Sequence, residues 1–419
     1  MRSPFPGIVV VAALIFAPTA RAADWFQFRG PTGQGHADGT HPPTVWGPDK
    51  NIAWRTEIAG GGWSSPVIYG GKIYLTTAVP KDEAGPKADQ SLRTICLDAI
   101  SGKIVWDVEV FQQAGAMAPP IHAKNSHAIP TAIVEGGRVY VHFGHMGTAC
   151  LDTVDGSTVW ANRDVKYFPV HGNGGSPVIV GDRLIFSTDG TDRQVVVGLD
   201  KTTGKTAWQT ARNAKPSRGF SFSTPLPITV NGQEQVVSSG SDVVMSLDPQ
   251  TGKEIWRVRY KGYSVVPKPV YGNGLVYLST GYDNPELYAI RPDGTGDVTE
   301  THVAWRVKKG APRNACPLLI GDALYMVSDS GLLSCLDANT GSLRWSEGLG
   351  GAYSASPVCA GGLVYLLAED GAGTVFKPGA EYEQVAKNTL GERALASYAV
   401  DGKALFIRTA KALYRVEQK

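Results

Sequence analysis

One ten-residue phrase recurs along this chain and limits its fold more than any other feature. It first reads Leu97-Asp98-Ala99-Ile100-Ser101-Gly102-Lys103-Ile104-Val105-Trp106. It returns at Leu151-Asp152 with Gly156 and Trp160, at Leu199-Asp200 with Gly204-Lys205 and Trp208, at Leu247-Asp248 with Gly252-Lys253 and Trp256, and at Leu336-Asp337 with Gly341 and Trp345. The aspartate precedes the tryptophan by eight residues each time. A looser copy runs from Ala289-Ile290-Arg291 to Trp305, with an insertion around Gly296-Asp297. Fixed self-similarity at this scale marks one supersecondary unit that stacks on its copies.

A second phrase precedes each of these: a small residue, a proline, an apolar pair, a glycine-rich turn and a β-rich run. Ser65-Pro66-Val67-Ile68, Ser176-Pro177-Val178-Ile179, Lys268-Pro269-Val270, Cys316-Pro317-Leu318 and Ser356-Pro357-Val358 carry it, with Pro130 and Pro225 in two further copies. Each unit therefore reads as four short strands. The proline opens the inner one, where a missing N–H costs least. Gly-Gly, Gly-Asp or Asn-Gly turns lead to the second strand. The third ends in Leu-Asp, whose carboxylate can bond the N–H groups of the turn, and the glycine accepts a left-handed backbone. The fourth carries the tryptophan, large and flat enough to fill a wedge between neighbouring sheets.

Successive tryptophans lie 40 to 54 residues apart, which suits a four-stranded blade with variable loops. The proline strands count seven blades. Residues 397–416 give three more strands and end before any tryptophan strand. The missing strand is expected at the other end, in Asn51-Ile52-Ala53-Trp54-Arg55-Thr56. The expected fold is all-β: an eight-bladed β-propeller whose last blade is closed by an N-terminal strand, hiding its edges. The seventh blade departs, with Glu383-Gln384-Val385 in place of a tryptophan.

The first residues read differently. Arg2, the apolar stretch 8–16 and Ala20-Arg21-Ala22 have the form of a cleaved leader, too short for a membrane span. The expected division is 1–22 signal peptide, 23–50 N-terminal extension and 51–419 propeller. No cysteine follows the cleavage point for a lipid anchor, so the protein is expected in the periplasm or outside the cell, as a monomer. Without Arg2 and Arg21 the 40 basic residues fall to 38, equal to the 38 acidic ones. That balance argues against a nucleic-acid or anionic-membrane partner.

The Asp-x-x-x-Gly-Lys-x-x-Trp phrase resembles the tryptophan-docking repeat of quinoprotein propellers, over nearly all of the chain beyond residue 22. Two groups share it: pyrroloquinoline-quinone (PQQ) dehydrogenases and non-enzymatic BamB-like scaffolds of outer-membrane assembly. More narrowly, Asp24-Trp25-Phe26-Gln27-Phe28-Arg29-Gly30-Pro31, His142-Phe143-Gly144, Ser223-Thr224-Pro225-Leu226 and the stretch 351–357 are similar to PQQ-binding-like repeat proteins of planctomycete-type bacteria. The resemblance implies the fold and leaves the activity open. The dehydrogenase group also carries an adjacent-cysteine disulfide over its cofactor, calcium ligands and a catalytic aspartate. The five cysteines here, Cys96, Cys150, Cys316, Cys335 and Cys359, include no adjacent pair and no CxxC. Calcium ligands and a base therefore transfer to no position. PQQ stays a possible cofactor without its cysteine motif, and no metal is expected.

In a propeller the loops that lead into the inner strands ring one mouth of the channel. Here they offer Trp63, then Lys124, Asn125 and His127, then His171 and Asn173, then Arg218 with Phe220, then Tyr263, then Arg313 and Asn314, then Tyr353, with Arg393 in the final blade. Cations and aromatics around one mouth suit an anionic or flat ligand; polar loops also line a wet channel in any propeller. His122, His127, His142, His145 and His171 are expected at the surface or in turns, since their spacing enforces no metal site. Cys96, Cys150 and Cys335 stand where other copies have Gly198, Ser246 and Ala289, so small size is the constraint there. The expected function is an exported, non-catalytic binding module for a protein, glycan or small ligand. A quinoprotein-like oxidoreductase anchored at Trp63, Lys124 and Arg218 and a BamB-like scaffold are the alternatives.

Overall fold

The computed structural model describes residues 24–84 and 87–418; the expected leader lies outside the described residues. Eight antiparallel sheets follow one another, six of four strands and two carrying a fifth. The first blade shows the pattern: Val67–Tyr69, Lys72–Pro80, Gln90–Asp98 and Ile104–Gln113, paired in that order. In the eighth blade Ala399–Asp401, Ala404–Arg408 and Ala412–Glu417 are completed by Ile52–Glu57. Trp54 pairs with Arg415 and Glu57 with Ala412. The strand expected to seal the ring does so.

The aspartates do turn work. Asp200 Oδ1 accepts the N–H groups of Thr202 and Thr203 at 3.1 and 2.8 Å and the Thr203 hydroxyl at 2.8 Å. Asp98, Asp248 and Asp337 accept the corresponding groups of Ser101, Thr251 and Thr340. The Ser101 N–H and hydroxyl hold the Asp98 carboxyl down at about 2, and Thr203 lowers Asp200 in the same way. A carboxylate whose pKa is depressed by folding stabilises the fold above its unfolded value, roughly 4. That contribution is lost as pH falls toward about 2. Urea midpoints measured from pH ~5 down to ~2 should therefore fall steadily, with a shallower fall in Asp200→Asn.

Six of the repeat tryptophans dock on the next blade's turn, Trp345 on the Gly379 carbonyl among them. Trp54, Trp106, Trp160, Trp208 and Trp305 donate their indole N–H to Ala99, Thr153, Lys201, Pro249 and Ala338 carbonyls at 2.9–3.2 Å. Trp256, before the irregular fifth blade, bonds Gln235 Oε1 instead. The insertion in that blade forms Gly296–Asp297, which pairs in parallel with the fourth blade's outer strand. The seventh blade's gap is filled from outside the repeat. Trp46 of the N-terminal extension stacks on Tyr365 at 6.3 Å and 17°, and meets Tyr398 edge-on. The eighth blade has no continuous Leu-Asp turn, because its third and fourth strands come from opposite ends of the chain. A tryptophan in the seventh blade's outer strand would have no such turn to dock on.

Around the axis, one residue per blade links to the next. The N–H groups of Ser65, Thr131, Ser176, Lys268, Cys316, Ser356 and Ser397 donate to the side chains of Thr131, Ser176, Thr224, Cys316, Ser356, Ser397 and Ser65 respectively, at 2.9–3.1 Å. The ring of links is interrupted only between Thr224 and Lys268, whose ammonium cannot accept. The cysteines act as packing residues: none is in a disulfide, and burial pushes Cys96 up to about 12 and Cys150 to about 11.

Candidate functional site

The inner strands run from the loop mouth to the tight turn after each of them. The N-terminal extension crosses the channel at the turn end: Trp25 and Phe26 carbonyls accept the Ile68 and Val134 N–H groups, and Gly35 accepts that of Cys359. His36–Ala37 adds a parallel strand to the inner edge of the seventh blade. The channel is therefore a cup. Its cavity of about 550 Å³ has Phe28 of the extension among its lining residues, together with the hydroxyl ring and the mouth loops.

Trp63, Lys124, Asn125, His171, Asn173, Arg218, Tyr263, Arg313 and Asn314 all line this cavity. Three expected residues, Tyr353, His127 and Arg393, do not. Tyr353 is 3% exposed and packs inside the wall with Tyr325 and Phe376; its neighbour Ser354 reaches the cavity instead. His127 is drawn back and half-buried, and desolvation, with His145 second, lowers its pKa. Arg393 lies over the Trp63 ring at 5.7 Å and holds the Ala123 carbonyl.

One wall is a continuous arc of rings. His122 meets His171 at 5.7 Å, His171 meets Phe220 at 5.4 Å, Phe220 meets Tyr263 at 5.7 Å and Tyr263 meets Tyr282 at 6.5 Å. Arg218 lies 4.7 Å from the Tyr263 ring and Arg313 lies 5.0 Å from that of Tyr282. Both arginines lack an ion pair among the described residues; Arg218 bonds the Tyr263 hydroxyl, which itself donates to Asp283. His171 adopts φ +65°, a strained value for a non-glycine residue, and its backbone pairs with Ile121 and His122. Burial, then His122, keeps its imidazole below the usual histidine range. Along the arc the His171 ring is thus disfavoured as a cation, and the far end carries the Arg218 and Arg313 guanidinium groups.

The opposite wall is compensated. Lys124 reaches across the mouth to Glu369 at 2.7 Å and Asp329 at 4.0 Å. Asp329 also takes the Arg313 backbone N–H at 2.9 Å and the Asn314 amide. Lys124 is therefore a strap over the cup rather than a free anchor. Asn173 is 2% exposed and braces Phe143, His145 and Tyr167.

Tyr282 and Asp329 escape a reading confined to the loops before inner strands. They sit between second and third strands, on the same face, and the alternation of blade strands was the available signal. The surface-or-turn expectation fails at His142, on the strand Arg138–His142: it is 3% exposed, bonded to Thr148 and 4.3 Å from the Phe186 ring. Burial pushes it down to about 3. Among the described residues no group of three or more His, Cys, Asp or Glu side chains is placed to hold a metal. No helix among them is long and apolar enough to cross a membrane.

Residues 48–219, 192–316 and 297–381 match the PQQ-type repeat family described as outer membrane protein assembly factor BamB. The chain belongs to this family. Among its relatives, BamB of Yersinia pestis is 26% identical over 207 residues, 45% of this chain and 50% of that protein. The dehydrogenase subunit of a quinone alcohol dehydrogenase from Gluconobacter oxydans is 26% identical over 267 residues, 59% of this chain and 30% of that protein. The chain thus spans half or less of these two relatives' length. The crystal structure of BamB from Moraxella catarrhalis superposes with a TM-score of 0.60 at 16% identity, covering 87% of this chain and 96% of that one. At that identity the likeness supports the family fold.

Proposed function

We propose that this protein is an exported, non-catalytic binding propeller whose cup takes a small, flat, anionic organic ligand. The aromatic arc ending in two arginines without carboxylate partners carries the reading. A planar ligand would lie along the rings and place its negative edge at Arg218 and Arg313, where charge-assisted bonds form in a partly desolvated site. In this reading residues 1–22 are removed on export to the periplasm or beyond, 23–50 form the floor and 51–419 form one propeller that acts as a monomer. Nucleic acid is no partner, given the balanced charge.

The quinone dehydrogenases among the relatives favour a second reading, with PQQ in the cup. A flat polycarboxylate quinone suits the arc and the arginines. The residues present do not supply the metal ligands, since among the described residues Asp329 is the one carboxylate lining the cavity and is engaged by Lys124, Arg313 and Asn314. The BamB relatives favour a third reading, in which the loop face holds a protein.

Calorimetric titration of the purified protein with PQQ, with and without calcium, and with pyridine-2,6-dicarboxylate tests the first reading. One-to-one binding is expected, weakened on the order of tenfold or more by Arg218→Ala and by Arg313→Ala, the size of a lost charge-assisted bond. Absence of binding by both probes sinks it. Calcium-dependent turnover of alcohols with dye reduction moves the assignment to the oxidoreductase.

A further inference from the structure

Beneath the cup, separate from the proposed ligand site, two cations are buried without a counter-charge. Arg29, from the N-terminal extension, is 1% exposed; its two terminal nitrogens donate to the Pro317 and Pro357 carbonyls at 2.9 and 3.4 Å. Its Nε has no partner among the described residues. Lys268 is also 1% exposed, and its Nζ has no partner among them either. The two side chains come together from different parts of the chain. Lys268 stands at the break in the axial ring and Arg29 on the segment crossing below it. The Lys268 ammonium lies against Gly33, where a Cβ would fall 2.4 Å from Nζ. Gly33 sits there at φ +67°, a value that glycine tolerates.

No carboxylate answers these charges. Arg29 forms no ion pair with Asp or Glu among the described residues, nor does Lys268, and Asp38, which acts on the neighbouring His36, is exposed. The groups that face them are Cys316, whose Sγ accepts the Lys268 backbone N–H at 3.1 Å, and His36, whose imidazole is lowered by burial and by Arg29. Two like charges in a dry site cost several kcal/mol unless an anion joins them or one loses its proton. Two fully buried donors left unpaired at one point are the arrangement an anion completes.

We propose that the base of the channel holds a small monovalent anion of chloride size between the Lys268 ammonium and the Arg29 guanidinium, locking the N-terminal extension to the ring. The closeness of the Gly33 backbone to Nζ favours an ion of a single atom over a polyatomic ligand. Burial, and Arg29 second, bring Lys268 down to about 7. Anion binding favours the protonated amine and therefore strengthens as pH falls through that value.

The test is thermal unfolding of the full protein in sodium chloride against sodium gluconate at matched ionic strength, below and above the Lys268 value of about 7. A saturable rise of a few degrees with chloride alone is expected, reaching half its height at several-fold lower chloride on the acid side. Lys268→Met should abolish the dependence, and Cys316→Ser should keep it. A chloride-35 NMR titration of the unmodified protein gives the same answer without variants, as line broadening lost on denaturation. Equal effects of the two salts with no chloride broadening overturn the proposal. So does retention of the dependence in Lys268→Met, or its loss in Cys316→Ser, which would make the thiol the counter-charge.

Discussion

Trp208→Ala is expected to lower the stability of the propeller by about 3–5 kcal/mol, as for other large aromatic deletions from a core. The ring sits in a slot that neither neighbouring blade can close alone. On one side is Gly198, where a Cβ would come within 2.3 Å of the indole; on the other is Gly252 at φ +70°, where it would come within 2.5 Å. The indole N–H meets the Pro249 carbonyl at 3.0 Å, and the nearby Thr210 hydroxyl ties the Gly252 carbonyl. Removing the ring empties a wedge walled by backbone, which cannot collapse far. Trp208→Phe keeps most of the filling and loses the hydrogen bond, so its cost should be nearer ~1–2 kcal/mol. Urea unfolding curves on the three proteins give the comparison; a loss under ~1 kcal/mol for the alanine variant would remove the tryptophan from its docking role.

Asp189→Ala is the second large effect, again about 3–5 kcal/mol. Asp189 and Arg212 are both fully buried and joined by two bonds, Nε to Oδ1 at 2.8 Å and Nη2 to Oδ2 at 2.9 Å. The guanidinium further donates to the Ser238 carbonyl and to the Ser187 and Ser238 hydroxyls, so the third and fourth blades share it. Burial raises the Asp189 carboxyl in spite of the arginine. A buried pair of this kind gains little net stability over an apolar replacement, because both charges lose their water. Loss of one partner still strands a buried charge. The double variant Asp189→Leu with Arg212→Met should recover most of the loss. A double variant as unstable as Asp189→Ala would show that the network, rather than the stranded charge, carries the cost.

The blade structure was legible because it repeats. Asp200 and Trp208 hold the same places in the turn and the wedge as their counterparts in other blades, so the spacing alone reveals their roles. Trp54 could be matched to Ala412–Glu417 by the same count, although 350 residues of chain and more separate the pairs. The mouth was legible where loops precede inner strands, as at Arg218, Tyr263 and Arg313. Tyr353 sits in such a loop yet turns inward, into the cluster of Tyr325 and Phe376; spacing places the loop and not the direction of its side chain. Trp46, Phe28 and Arg29 lie outside the repeat and act on distant blades, so no period marks them. Lys124 looks like a free cation in the chain and is compensated by Glu369 and Asp329, which folding brings across the mouth.

Hydrogen exchange of the Ile52–Glu57 amides tests the closed ring most directly. If the ring is sealed there, these amides exchange only with global unfolding, as slowly as those of Ala404–Arg408 in the same blade. Exchange at the rate of a fraying terminus, while the remaining blades stay protected, would contradict it.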